Sequence, residues 1–115
     1  MKIGLRARIS SYINDRTPEW NQAAINSKKA HPFCEICLTK KSLESHDVLP
    51  YHLLTDAQKH DYSWLLKNLM SLCRIGGIGC HISFGHCGDG NGLKYNPKIR
   101  DLAKAVRNFA VNCTK

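Results

Sequence analysis

The chain lacks an apolar run near the ~20 residues that a membrane-spanning helix needs. Its first residues, Met1-Lys2-Ile3-Gly4-Leu5-Arg6, are basic without the apolar stretch of a signal peptide. The expected location is therefore cytoplasmic, a phage or mobile-element protein acting in a host cell included. Cysteines are expected there as thiols or metal ligands rather than disulfides. Aromatic residues are scarce, at 8%, and hydrophobic residues make up 43% of 115 positions. That supports a single modest core over residues 1–115, of the size that a disulfide or metal usually reinforces. Internal repeats and low-complexity tracts are absent. Acidic side chains are also few: nine, against 17 lysines and arginines.

The resulting charge of +8 is unevenly placed. Residues 1–30 form a basic N-terminal extension with six cations against two acids. Residues 94–115 carry six cations against one acid. The stretch between them, which holds every cysteine and histidine cluster except Cys113, has five cations and six acids. Two basic arms around a near-neutral centre suit a site that grips a polyanion from both sides. Nucleic acid is the expected partner, DNA ahead of RNA.

Local signals divide the chain. Residues 3–13 are loosely amphipathic and read as a short helix. Thr17-Pro18-Glu19 is a stronger start, with an N-cap hydroxyl, proline at the first helical position and an acid in the first turn. That helix should run towards Lys29, bury Trp20, Ala23, Ala24 and Ser27, and end at Pro32. From Leu43 to Pro50 the side chains alternate, Glu44, His46 and Val48 against Ser45, Asp47 and Leu49, as in a strand. Thr55 with Gln58 reads as a capping box opening a helix that buries Ala57, Leu65 and Leu66. Residues 68–73 read as a short apolar link into the glycine-rich loop Gly76-Gly77-Ile78-Gly79. Cys80–His86 has helical potential. Asn96 and Pro97 open a terminal basic helix over 96–113, with Ile99, Leu102, Ala103, Val106, Ala110 and Cys113 on one face. Arg100, Lys104 and Arg107 lie on another face and are the candidate phosphate contacts, although solvation is the default role of such a stripe.

The chemistry-bearing residues fall into two groups. Cys34-x2-Cys37 lets one turn supply two thiolates to a tetrahedral zinc, and Cys73 and Cys80 supply the other two. Their six-residue separation requires the glycine loop to fold outward. Cys87 is the alternative fourth ligand, and Cys113 belongs to the core. The second group is His46 and Asp47 at a strand tip, stiffened by Pro50, with His81 and His86 downstream. His81 is anchored by its neighbour Cys80 and suits a second metal. His86 could share that metal or bind a phosphate.

In order and spacing these residues resemble the HNH endonuclease family, the ββα-metal or His-Me finger nucleases with zinc knuckles. The likeness covers about residues 18–100. It runs through Cys34-x2-Cys37, Leu43-Glu44-Ser45-His46-Asp47-Val48-Leu49-Pro50, Asn68-Leu69-x2-Leu72-Cys73, Cys80-His81 and His86. Trp20, Phe84-Gly85-His86 and Tyr95-Asn96-Pro97 add to it. The resemblance implies an α+β fold with a ββα-metal core over about residues 31–93 and flanking helices. It also implies structural zinc on Cys34, Cys37, Cys73 and Cys80. A catalytic divalent cation (Mg²⁺, Mn²⁺, Ni²⁺ or Zn²⁺) would sit on His46 and His81, with His86 and Asp47 as further ligands. Asn68 would orient the loop that carries the base. The implied reaction is hydrolysis of DNA phosphodiester bonds, by nicking or cutting.

The chain departs from the family pattern at the usual base position, three residues before Pro50. Asp47 stands there instead of histidine. A carboxylate with a reference pKa of ~3.9 is a weaker base than an imidazole near ~6.5. Asp47 with a raised pKa, His46 with exchanged roles, or His52 could take the proton. Otherwise the scaffold is a zinc-stabilised nucleic-acid-binding or adaptor module without the reaction.

Overall fold

The computed structural model describes residues 16–74, 79–89 and 93–113, with side chains to Phe109. The helix expected over 3–13 lies outside them. The first element, α1 (Pro18–Ala30), begins as the sequence dictates. Thr17 is extended and its hydroxyl accepts from the Trp20 amide at 3.2 Å. Glu19 occupies the first turn and Lys28 and Lys29 the last, matching the helix dipole at both ends. Ala23, Ala24 and Ser27 are buried, so the helix presents small side chains to its neighbours and lies close to them. Trp20 is only partly buried, packing on the rim of that core.

Two strands form an antiparallel hairpin, β1 (Leu43–Asp47) and β2 (Leu69–Cys73). Leu43 pairs with Cys73, His46 with Met70 and Asp47 with Leu69. β2 corrects the sequence reading, which took residues 68–73 for a link. All five of its residues are buried. A strand covered on both faces shows no polar–apolar alternation, so periodicity cannot reveal it.

Between the strands lie a 3₁₀ turn at Tyr51–Leu53, then α2 (Asp56–Lys59) and α3 (Tyr62–Asn68). The capping box at Thr55 and Gln58 forms in full. The helix it opens stops after one turn, and Asp61 caps a new one by accepting from the Trp64 amide at 3.1 Å. Leu65 is therefore buried and Leu66 partly so, but Ala57 is exposed, contrary to expectation.

His81–Gly85 forms a π-helical turn. The terminal helix, α4 (Ile99–Cys113), starts two residues later than expected. Asn96 accepts from the Lys98 and Ile99 amides through its side chain and carbonyl, so residues 97–98 remain a turn. Ile99 and Ala103 are buried and Leu102 packs beside them, but Val106 is already exposed and Phe109 is 70% exposed. Among the described side chains of α4, those that touch the core are in its first turns.

The result is a small mixed α+β domain with a two-stranded sheet. One apolar cluster joins β2 to the cysteines, Ile36, Ile99 and Ala103. The other joins α1, Tyr51, Leu54, Leu65 and Leu69. No helix among the described residues is long and apolar enough to cross a membrane.

Candidate metal centres

Cys34 and Cys37 come from a tight turn closed by the Leu38 amide on the Cys34 carbonyl (2.9 Å), with Leu38 in the left-handed region. Cys73 ends β2, and Cys80 opens the π-turn. Gly79, at φ +65°, directly precedes Cys80, and its backbone passes so close to Arg74 that a Cβ would sit 3.1 Å from the carbonyl oxygen. The four sulfurs lie within 4.8 Å of one another. Sulfurs ~2.3 Å from a tetrahedral zinc lie about 3.8 Å apart. Cys37 and Cys73 are at 3.6 Å, so the donor set fits such an ion.

The electrostatics of the cluster favour thiolate at one position. Burial acts to raise the Cys34 thiol, but the amides of Cys37, Ile36 and Cys73 outweigh it and bring the thiol down to about 7. Burial pushes Cys37 up. It pushes Cys80 up much further, with the neighbouring thiols adding to the effect. Cys37 and Cys80 thus hold their protons more firmly than a free thiol, and a metal bound there would release them. Cys87 is exposed and stands outside the four-thiol cluster, which removes it as the alternative ligand. The Cys113 side chain lies outside the described residues.

The second centre is built from His46, His81 and His86, whose ring centroids lie 4.8–5.0 Å apart. Each offers a nitrogen within 4.8 Å of the others. The π-turn is what aligns the last two. Its defining hydrogen bond runs from the His86 amide to the His81 carbonyl, at 3.0 Å, and brings residues five apart onto one side. An α-helix would have turned them apart. Gly85 leaves room for His46: a Cβ there would come within 2.9 Å of Cε1 and 3.0 Å of Nδ1 of that ring.

The hydrogen bonds fix the tautomers. His86 Nδ1 lies 2.8 Å from the Lys94 carbonyl, which can only accept, so this nitrogen carries the proton. His81 Nδ1 lies 3.0 Å from the Glu44 carboxylate, whose pKa is lowered chiefly by this bond. With Nδ1 so engaged, each ring turns its Nε2 towards the other, and the two Nε2 atoms are 3.1 Å apart. At that distance the two nitrogens can share a proton or a metal cation. Imidazoles that donate one nitrogen to a carboxylate or carbonyl and aim the other at a common point have the arrangement of metal ligands. His46 supplies an independent sign. It is 1% exposed, and neither ring nitrogen has a hydrogen-bond partner among the described residues. Burial, with His81, His86 and Arg100 nearby, lowers its pKa to about 3, so it remains an unprotonated donor. Burial also lowers His86.

Asp47 does not join this cluster, which corrects its assignment as a metal ligand. Neighbouring residues of a strand point to opposite faces. Asp47 consequently meets α1, where Trp20 Nε1 donates to Oδ1 at 2.7 Å and Arg16 lies 3.8 Å from Oδ2. Arg16 also stacks over Tyr51, 4.0 Å from the ring centroid, and over Trp20. Burial raises the Asp47 pKa against the opposing effects of Trp20 and Arg16. His52 is exposed on the 3₁₀ turn and lies outside the cluster.

Asn68 sits where an orienting residue is useful. Its side chain accepts from the Leu49 amide at 2.9 Å and donates to the Leu49 carbonyl at 3.0 Å, and its own carbonyl accepts from Val48. Lys104 and Arg107 are exposed on α4. Arg100, their expected partner, donates from Nη2 to the carbonyls of Lys67 and Leu69.

Sequence reasoning missed Glu44, Gly85 and Glu35. Alternation along β1 had already placed Glu44 on the face of His46. Glu35, inside the first knuckle, is buried and accepts from the Ser71 amide at 2.6 Å while its own amide donates to the Ser71 carbonyl. A buried acid between two cysteines is the signal that could have found it. Comparison with protein-family models, curated proteins and solved structures finds no match.

Proposed function

We propose that this chain is an HNH-type endonuclease, a metal-dependent phosphodiesterase acting on nucleic acid, with the β1–β2 hairpin and the π-turn as its ββα-metal core. The observation that carries this reading is the meeting of three imidazoles, two with Nδ1 engaged and Nε2 turned to each other, and one buried without a partner among the described residues. A divalent cation held by His46, His81 and His86 would polarise the phosphate and stabilise the leaving oxygen. An all-nitrogen donor set favours Zn²⁺ or Ni²⁺ over Mn²⁺ and Mg²⁺, which prefer oxygen.

The chain's own residues divide the remaining work. Glu44 and the Lys94 carbonyl engage Nδ1 of His81 and His86 and so turn the Nε2 of each towards the other. Asn68 fixes the backbone of Val48 and Leu49, just beyond His46 and Asp47. Asp47, on the opposite face of β1 from His46, ties that strand to Trp20 and Arg16 and so supports the strand that carries the ligand. Lys104 and Arg107 on α4 contact the nucleic-acid backbone, DNA ahead of RNA. The four thiolates hold structural zinc and keep hairpin and π-turn together.

One observation favours a second reading, a nucleic-acid-binding or adaptor module without hydrolysis. Asp47 is engaged by Trp20 and Arg16 and faces away from His46. Incubating supercoiled plasmid with the protein in Zn²⁺, Ni²⁺, Mn²⁺ and Mg²⁺, beside His81→Ala, separates the two. The nuclease reading expects nicked or linear product from wild type and at least a 100-fold loss in the variant. DNA that is bound yet intact in every metal supports the module instead.

A further inference from the structure

We infer that Arg100 is a positioning residue for the histidine centre, set apart in role from the phosphate-contacting Lys104 and Arg107 that share its helical stripe. This deepens the nuclease reading and rests on it for the catalytic readout alone.

The argument begins with how α4 is seated. Ile99 and Ala103 are buried against Cys34, Met70, Leu72 and Cys80, which fixes the first turn of the helix on the hairpin core. Arg100, between them, is directed at the α3–β2 junction. Its Nη2 donates to the Lys67 carbonyl and, at 3.2 Å, to the Leu69 carbonyl. Those two residues flank Asn68, so the guanidinium grips the backbone on both sides of it. Lys67 lies in the last turn of α3, where carbonyls have no helical partner, and a cation there also suits the dipole.

Asn68 passes the constraint on. Its carbonyl takes the Val48 amide, and its side chain takes both polar groups of Leu49. Leu49 stands three residues from His46. Arg100, the junction and Asn68 therefore form one run of hydrogen bonds that ends at Val48 and Leu49, two and three residues beyond the buried ligand. Both bonds come from one nitrogen, Nη2, whose two N–H groups lie in the rigid guanidinium plane and so hold a set angle to the two carbonyls. Lys104 lies one helical turn on and Arg107 two; all three are exposed, and Arg100 is marked out by its bonds to the junction carbonyls.

Charge and geometry can be separated by substitution. For Arg100→Gln, Arg100→Lys, Lys104→Gln and Arg107→Gln, three quantities are measured on zinc-loaded protein. They are Co²⁺ affinity at the histidine centre, kcat and KM for plasmid nicking, and the slope of log K against log salt for a short duplex. Positioning expects Arg100→Gln to weaken Co²⁺ binding about 10-fold or more, the usual cost of disturbing a ligand's support. It expects kcat to fall with KM unmoved, and the salt slope to stay at the wild-type value. Arg100→Lys should recover little. Lys104→Gln and Arg107→Gln should each reduce the slope by about one unit and leave Co²⁺ affinity alone.

The inference is overturned if Arg100→Gln lowers the salt slope as the other two do while Arg100→Lys restores it. Should the Gln variant fail to fold, wild type decides through ¹⁵N resonances of the Arg100 guanidinium. Protected signals unmoved by added duplex support positioning, and signals that shift with the duplex contradict it. A wild type that cuts nothing removes the nuclease reading, while Co²⁺ affinity and the guanidinium signals still judge Arg100.

Discussion

The two clusters are neighbours in sequence, joined by the Cys80–His81 peptide, yet they differ in almost every physical respect. Three of the four thiols are fully buried, and the set is closed on itself. Four sulfurs satisfy a tetrahedral ion and leave nothing for a substrate, the signature of a structural site. The histidine cluster has one buried ring and two partly exposed ones, with only three donors. Three protein ligands and an open side are what a reactive site needs. A metal held by the closed cluster would fix the hairpin and π-turn, and the open one would borrow that rigidity.

The sharpest way to break this contrast is to remove a thiol. Cys73→Ser, or a strong chelator on wild type, should abolish the folded state, because structural zinc contributes apparent free energies of roughly 10 kcal/mol or more in small domains. Circular dichroism and metal analysis should lose structure and zinc together. Native structure without zinc would show that the apolar clusters suffice.

Gly85→Ala should damage the second centre alone. The added methyl would come within 2.9 Å of the His46 ring and force it aside. Co²⁺ titration of zinc-loaded protein should lose the histidine site while zinc content stays at one equivalent. Loss of zinc as well would mean the centres are not separable.

Glu44→Gln should have a smaller effect. It keeps the shape beside His81 but removes the charge that holds its tautomer, and outer-shell changes of this kind cost about 10–100-fold in metal affinity. Calorimetry on the zinc-loaded protein measures this, and an unchanged affinity would remove Glu44 from the site. The smallest effect is expected from Cys87→Ser. Zinc content and melting temperature should match wild type, and any loss of zinc would restore Cys87 as a ligand.

Much of this arrangement was legible in the sequence where local rules govern. Thr17, Pro18 and Glu19 announce α1, Thr55 and Gln58 form their capping box, and Cys34-x2-Cys37 with Cys73 and Cys80 assembles as expected. Asn68 meets the loop after β1. Residues whose roles depend on neighbours distant in the chain were harder. β2 is buried on both faces and shows no period. The π-turn depends on a hydrogen-bonding pattern that no local sequence signal announces, yet it decides that His81 and His86 meet. Asp47 was grouped with His46 because they are adjacent, although adjacency within a strand separates side chains. Arg100 was read from its helical stripe, and only the packing of Ile99 shows what lies opposite.

The account turns on there being two distinct centres with different donors. Anomalous diffraction at the zinc edge, from crystals of the zinc-loaded protein, tests this most directly. The expected map has one peak enclosed by the sulfurs of Cys34, Cys37, Cys73 and Cys80. A second peak should lie among the rings of His46, His81 and His86, with Asp47 still on Trp20. A single peak at the sulfurs, with the three rings turned to separate directions under excess zinc, would contradict it.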